Sequence, residues 1–262
     1  MIRSLYTGTT GMNAQQLNID VIANNLANVS TTGFKRSIPS FQDLLYETIK
    51  VPGSQTSSDT QTPTGILVGM GVSTGAVEKI FSQGPLTQTD NPLDVAIQGS
   101  GFFQIQLPNG NTAYTRAGNF QTDSNGRVTT PDGYLLLPAI TIPQGANQIT
   151  VSNTGIVSAI LAGETASTQL GTIQLATFIN SPGLAAAGNN LFLETDASGT
   201  ASTGNPGDNG YGTLAQTFLE GSNVNIVQEM ANMITAQRAY EINSKTITTS
   251  NEMMQTTNAL IT

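Results

Sequence analysis

Apolar residues return every seven positions at both ends of the chain. Leu5, Met12, Ile19 and Leu26 form one such row near the start, and Ile22 and Val29 add part of a second. Ile226, Met233, Tyr240, Ile247, Met254 and Ile261 form another near the end. A sustained seven-residue apolar period is a helical signal. It predicts helices over residues 2–28 and 222–261, about 40 Å and 60 Å long at about 1.5 Å per residue. Four positions beyond each C-terminal apolar residue stand Met230, Gln237, Ser244, Asn251 and Asn258. A two-stranded coiled coil wants both rows apolar. One greasy row beside an amide and hydroxyl row suits a helix touched by neighbours on several sides. An antiparallel pair of terminal helices packed within one chain satisfies the same spacing. Arg238, Glu241 and Lys245 supply the charge pairs of an exposed helix face.

The middle, roughly residues 65–212, breaks into short strand-like runs between turn signals. Asn109–Gly110 sits inside FFQIQLPNGNTAYTR, and Asn125–Gly126 and Asp132–Gly133 sit inside NFQTDSNGRVTTPDGYLLL. Such dipeptides mark hairpins. ITVSNTGIVSAIL predicts another hairpin around Gly155, and LGTIQLATFI a single strand. Closely spaced turns of this kind predict a sandwich or irregular barrel. Residues 51–65 and 196–210, rich in Gly, Pro, Ser and Thr, read as loops or linkers. The expected fold class is α+β: long terminal helices forming a coiled-coil-like assembly domain, and a central mainly-β domain. The expected segments are an N-terminal helical part (1–34), a connecting segment (35–64), the β domain (65–215) and a C-terminal helical part (216–262).

Charge changes the picture. Only 10% of the 262 residues are Asp, Glu, Lys or Arg, against about 25% in ordinary globular domains. Amides and hydroxyls, which both donate and accept, carry the polarity and suit surfaces to be covered by protein. The net charge is −8, and Lys35–Arg36 is the one adjacent basic pair. Nucleic acid binding, which needs a basic face, is not expected. No apolar run approaches the ~20 residues of a membrane span, and the first residues lack the apolar core of a cleaved signal peptide.

Candidate chemistry is sparse. The chain has no histidine and no cysteine, which removes the commonest general base, the commonest metal ligand and the thiol nucleophile. Asp90 and Asp94, and Glu194 and Asp196, are close in sequence, but nearness along the chain does not establish the facing carboxylates of a glycosidase. Gly99–Gly101 precedes strand-like FFQIQL rather than a helix, so it lacks the helix terminus of a phosphate loop. Asp123–Gly126 reads as a turn, not a calcium loop. No enzyme activity, cofactor, metal or small-molecule substrate is expected.

The most specific stretches are ANNLANVSTTGFKR (residues 23–36), NPLDVAIQGSGFFQI, YTRAGNFQTDSNGRVTTPDGYLLL and the tail from EGSNVNIVQEMANM onward. In that order, and over nearly the whole chain, they resemble the bacterial flagellar axial family of rod and hook subunits. Asn24, Asn25, Leu26, Ala27, Asn28, Thr32, Gly33, Phe34 and Lys35 carry the N-terminal signature. Length and layout are most like the distal-rod members. Hook members carry an extra outer domain, proximal-rod members are close rivals, and residues 41–65 resemble the stretch that sets distal rod apart from hook. The resemblance implies a structural subunit exported through the flagellar type III apparatus without a cleaved signal. It implies helical self-assembly into a hollow shaft that transmits torque and passes exported proteins from periplasm to outer membrane. Proximal rod proteins, hook protein and the P and L rings are the implied partners. The ten seven-spaced apolar residues above would then form polymer seams. The alternative from another class is a secreted β-rich adhesin or binding module, which predicts an exposed aromatic cluster.

Overall fold

The computed structural model describes residues 2–53, 55–57, 60–61, 63–163 and 166–261. The chain divides into two compact units. One comprises Met1–Leu26, Ser37–Glu78 and Ile226–Thr262; the other comprises Ala27–Arg36 and Lys79–Asn225.

The first unit holds the two long helices. Helix α1 spans Ile2–Ala27 and α2 spans Ile226–Ile261. The seven-residue period therefore predicted both, and α2 begins four residues later than expected. Hydrogen bonding accounts for the delay. The Val224 N–H bonds the Ser222 hydroxyl, and the Asn223 amide accepts from the Arg36 N–H and donates to the Ile80 and Ser82 carbonyls. Side chains that bond the backbone locally compete with helix in this way.

The same unit carries strands β1 (Ser37–Asp43), β2 (Tyr46–Lys50), β3 (Gln55–Ser57), β4 (Thr60–Gln61), β5 (Ile66–Gly69) and β6 (Val72–Lys79). β1 pairs with β6, β3 with β4, and β2 with β5 in the register Tyr46↔Gly69. Residues 51–65, read as a loop from their composition, thus lie within a hairpin arm; of them, 54, 58, 59 and 62 fall outside the described residues.

The second unit is mainly β. Its strands are β7 (Leu86–Gln88), β8 (Val95–Gln98), β9 (Phe102–Gln106), β10 (Thr112–Thr115), β11 (Gln121–Thr122), β12 (Val128–Thr129), β13 (Leu135–Leu137), β14 (Ala146–Val151), β15 (Ile156–Leu161) and β16 (Thr168–Thr172). There follow β17 (Leu175–Thr177), β18 (Ala185–Gly188), β19 (Leu191–Leu193), β20 (Ser202–Gly204), β21 (Thr213–Gln216) and β22 (Phe218–Glu220). The principal sheet runs β11-β12-β13-β9-β10-β19-β18, with β17 joining β9 to β20. β14, β15 and β16 form a second, three-stranded sheet, while β21 pairs β8 and β22 pairs β7.

β9 is the centre. It pairs β10 along one edge and β13 and β17 along the other. Phe103 and Ile105 enter one core with Val95, Ile97, Leu136 and Leu175. Phe102 enters a second with Tyr114, Phe192, Phe81 and Phe178, whose rings meet edge to face. Burial on both faces explains why the run reads FFQI rather than strictly alternating. The expected hairpins at Gly110, Gly126, Gly133 and Gly155 are present, each glycine with a positive φ.

Two expectations are corrected. LGTIQLATFI is two strands, not one: β16 stays with β15, and β17 crosses to β9. Between them the Ile173 N–H bonds the Gly155 carbonyl and its side chain is buried in the core, which ends the first pairing. Residues 196–210 are not a bare linker. They contain β20, and Ser198 is 1% exposed, with its hydroxyl donating to the Thr195 carbonyl.

Candidate functional site: the terminal helices and the signature loop

The two helices pack antiparallel. Ser4 meets Ser250 (Oγ to Oγ 3.1 Å) and Asn25 meets Glu229 (3.5 Å). Between these ends, a Cβ added to Gly8 would lie 2.9 Å from Ile247 Cγ1, and one added to Gly11 would lie 2.9 Å from the Asn243 amide. The register descends evenly on α2 as it ascends on α1. The observed contacts are therefore mostly between small and polar residues, with Ile247 seated on Gly8. On α2 its deepest row is Glu229, Ala236, Asn243 and Ser250, three residues beyond each apolar position rather than four. On α1, Gly8, Ala14, Val21, Ile22 and Asn25 are buried.

The residues expected at polymer seams fall beside this contact. Leu5, Met12, Ile19 and Leu26 are half-buried, as are Met233, Tyr240, Ile247 and Met254. Ile226 is exposed, and the side chain of Ile261 lies outside the described residues. Of these, Ile247 is brought directly against α1, at Gly8.

Away from α1, helix α2 exposes apolar side chains interspersed with the charged Arg238, Glu241 and Lys245. Ile226, Val227, Met230, Ile234, Ile242 and Met253 are exposed. A groove of about 330 Å³ is lined by Ile242, Lys245, Thr246, Thr249, Ser250 and Met253, and so borders the α1 contact at Ser250. The abundant helix threonines turn their hydroxyls back onto the helix. Thr7, Thr9, Thr246, Thr256 and Thr257 each donate to the carbonyl four residues earlier. That leaves methyl groups rather than hydroxyls as the outward surface. The exposed pair Arg238–Glu241, at 3.4 Å, is worth little.

The signature loop explains its own asparagines. The Asn25 amide reads the backbone of Ser37 as a neighbouring strand would: Nδ2 donates to the Ser37 carbonyl and Oδ1 accepts the Ser37 N–H, both at 2.8 Å. Only an amide carries both functions at that reach. The Asn28 side chain accepts the Thr31 hydroxyl, and its carbonyl accepts the Thr31 N–H, forming the turn after α1. Asn24 and Ala27 are exposed. The Thr32 carbonyl accepts from the Asn190 amide.

Gly33 has φ +70°, and a Cβ there would lie 2.6 Å from the Ala117 nitrogen. Glycine is required on both counts. Phe34 is buried, with the Lys79 ammonium 5.1 Å from its ring centre. Lys35 is fully buried and donates to Glu220 Oε1 at 2.6 Å and to the Ser82 carbonyl at 2.8 Å. Glu220 Oε1 also accepts the Gly84 N–H, and Arg116 Nη1 lies 3.8 Å from Glu220 Oε2. Burial pushes Lys35, Arg116 and Lys79 below their ordinary values; the Glu220 charge opposes this at Lys35 and Arg116.

Sequence reasoning missed Arg116, Glu220, Asn223 and Glu229. The available signal was isolation: single charges or amides inside otherwise neutral, turn-rich stretches of a chain with few charges. Of the carboxylates considered for chemistry, Asp94, Glu194 and Asp123 have structural duties. Asp94 accepts from the Asn91 amide, and Glu194 accepts from the Tyr114 hydroxyl and the Ala201 N–H. Asp123 caps its own turn by accepting the Asn125 and Arg127 N–H groups, and the Arg127 bonds hold its carboxyl below the usual range. Among the described residues no cluster of acidic side chains is placed to hold a metal ion, and no helix is long and apolar enough to cross a membrane.

Comparison with known proteins gives three family matches in chain order. Residues 5–35 match the family described as flagella basal body rod protein, 96–159 the flagellar hook protein FlgE/F/G D1 domain, and 215–260 the flagellar basal body rod FlgEFG protein C-terminal family. The flagellar basal-body rod protein FlgG of Caulobacter vibrioides is 54% identical over 99% of both chains. That of Borreliella burgdorferi is 48% identical, also over 99% of both. A flagellar hook protein FlgE from Helicobacter mustelae is 42% identical over 52% of this chain and 30% of its own length. With full-length similarity to the rod proteins and only partial similarity to the hook protein, the chain belongs to the flagellar basal-body rod protein FlgG family.

Proposed function

We propose that the chain is a structural subunit of the flagellar distal rod, and that copies assemble helically through the terminal helices into a hollow drive shaft. The apolar stripe Ile226, Val227, Met230, Ile234, Ile242 and Met253 carries this reading. One face of α2 is spent on α1. The stripe needs a second partner, and fully covering each such side chain contributes about 1.5–3 kcal/mol. Its polar neighbours include amides and back-bonded threonines, and its charged neighbours Arg238, Glu241 and Lys245 have to be paired or left at the rim when the surface is covered. The exposed arm residues Leu45, Tyr46, Ile49, Ile66 and Leu67 supply a further apolar surface for the same purpose.

In this reading the half-buried row of Leu5, Met12, Ile19, Leu26, Met233, Tyr240, Ile247 and Met254 lies at the margin of the covered surface. Helices held on several sides pass torque along the shaft, and the bore passes exported proteins. The proximal rod, the hook protein, the P and L rings and the type III export apparatus are the partners, and the rod runs from periplasm to outer membrane. The β unit does not favour an adhesin. Among the described residues the strongly exposed aromatic side chains are Tyr6 and Tyr46, both outside that unit.

Sedimentation of polymer tests the proposal. Ile234→Asp and Ile242→Asp, at side chains 57% and 65% exposed, should abolish pelletable polymer while leaving the urea midpoint of the free chain near wild type. Polymer at wild-type yield from both variants would contradict it.

A further inference from the structure

Three Asn-Gly pairs stand in turns of the β unit: Asn109–Gly110, Asn125–Gly126 and Asn209–Gly210. Such a pair carries its own chemistry. The glycine nitrogen can close on the carbonyl carbon of the preceding side chain, and glycine has no side chain to screen it. All three asparagines are exposed, so exposure does not separate the pairs. Hydrogen bonding does. The Gly110 N–H donates to the Leu107 carbonyl at 2.9 Å, and the Gly126 N–H to the Asp123 carbonyl at 3.0 Å. Each of these glycines closes its turn as the fourth residue, and its nitrogen is held. Asn109 Oδ1 is held as well, accepting the Asn111 N–H at 3.0 Å.

The third turn is built differently. It runs from Asp208 to Tyr211 and is closed by the Tyr211 N–H, which donates to the Asp208 carbonyl at 3.0 Å. Gly210 is therefore the third residue, with φ +93°, where a type II turn demands glycine. Neither the Gly210 N–H nor the Asn209 side-chain amide has a hydrogen-bond partner among the described residues. A Cβ placed on Gly210 would meet nothing within 4 Å. Nucleophile and electrophile are adjacent, exposed and uncommitted to other bonds.

We infer that Asn209–Gly210 is the chain's principal site of spontaneous deamidation. Hydroxide takes the Gly210 amide proton, and the nitrogen attacks Asn209 Cγ. The new C–N bond closes a succinimide ring, and the side-chain nitrogen leaves as ammonia with a proton returned by water. Water then opens the ring at either carbonyl, giving aspartate or isoaspartate at position 209. Isoaspartate routes the main chain through the side-chain carbon, so the turn is lengthened by one methylene. That turn holds Tyr211, whose hydroxyl lies 2.9 Å from Ser202 Oγ and whose ring would meet a Cβ on Gly204 at 2.5 Å. The product also adds a negative charge beside Asp208. Modification therefore loosens this corner of the β unit, while the turns at Gly110 and Gly126 keep their asparagines.

The test incubates the folded full-length chain in mildly alkaline buffer and maps its peptides by mass spectrometry, with isoaspartate identified by electron-transfer fragmentation. Asn209 should convert at least about fivefold faster than Asn109 or Asn125, the factor that one net hydrogen bond contributes. In urea, where the turns are lost, the three rates should converge, because all three asparagines precede glycine. Conversion of Asn109 or Asn125 as fast as Asn209 in the folded chain would overturn the assignment. So would an Asn209 that stays intact while the unfolded chain converts. Enzymatic methylation of the isoaspartate carboxyl by S-adenosylmethionine gives an independent count. Asn209→Ser removes the electrophile at an exposed side chain that makes no bond. It should remove most of the methyl acceptance of the incubated folded chain, and undiminished acceptance would also overturn the assignment.

Discussion

Asn25 shows how one side chain can be required for two bonds at once. It donates to and accepts from the Ser37 backbone, and its donor also lies 3.5 Å from Glu229. Asn25→Asp keeps the shape but loses the donor and sets a carboxylate against Glu229. It should therefore destabilise the chain by more than Asn25→Ala, which costs about 1–3 kcal/mol for the lost bonds. A protonated aspartic acid regains an O–H donor, so the Asn25→Asp deficit should shrink as pH falls into the carboxylate range. Urea unfolding followed by circular dichroism across pH checks both; a deficit independent of pH would contradict the two-bond account. The buried triad gives a second ordering. Lys35→Met leaves Arg116 and Glu220 as a neutral pair, whereas Glu220→Gln leaves two buried cations without a counter-charge. Glu220→Gln should cost more, on the scale of about 3–5 kcal/mol for a broken buried pair, and equal losses would contradict the charge accounting. Lys79 supplies a pH dependence. Burial lowers its value from 10.5, so the folded chain releases this proton before the unfolded chain does. In the window between the lowered value and 10.5 the unfolded chain binds more protons, and stability rises with pH. Lys79→Met should flatten that rise relative to wild type.

At the scale of elements, the helices were legible and their contact was not. Period seven placed α1 and α2 to within one residue at one end and four at the other. The apolar row drew attention because it is apolar, yet only Ile247 of that row is seen against the partner helix, and the other contacts are made at Gly8, Gly11, Asn243 and Ser250, which carry almost no hydropathy signal. Glycine permits close approach only when a particular partner is present, and that partner is more than 200 residues away in sequence. Gly11→Leu should therefore cost about 1–3 kcal/mol through overpacking against Asn243, although leucine is the better helix former. Tighter helix pairing in Gly11→Leu, seen as a higher urea midpoint, would contradict the small-residue seam. The β hairpins were legible because their turns are chemically specific. The splitting of LGTIQLATFI was not, since it depends on Ile173 bonding Gly155 of another hairpin. The triad was invisible for the same reason: Lys35, Arg116 and Glu220 are single charges far apart along the chain, brought together only by folding.

At the scale of the whole molecule, the low charge, the amide-rich surface and the apolar stripe on α2 point the same way. In the proposed reading this surface is covered by protein on assembly, and the chain's family is that of a rod. The absence of native cysteine allows a direct measurement of that covering. A single thiol placed at the stripe by Ile234→Cys, and another placed at the exposed hairpin tip by Asn109→Cys, can be labelled in the free chain and in pelleted polymer. The account predicts that polymerisation slows labelling at Ile234→Cys by tenfold or more. If Ile234→Cys labels in polymer as fast as in the free chain, the stripe is not the assembly face.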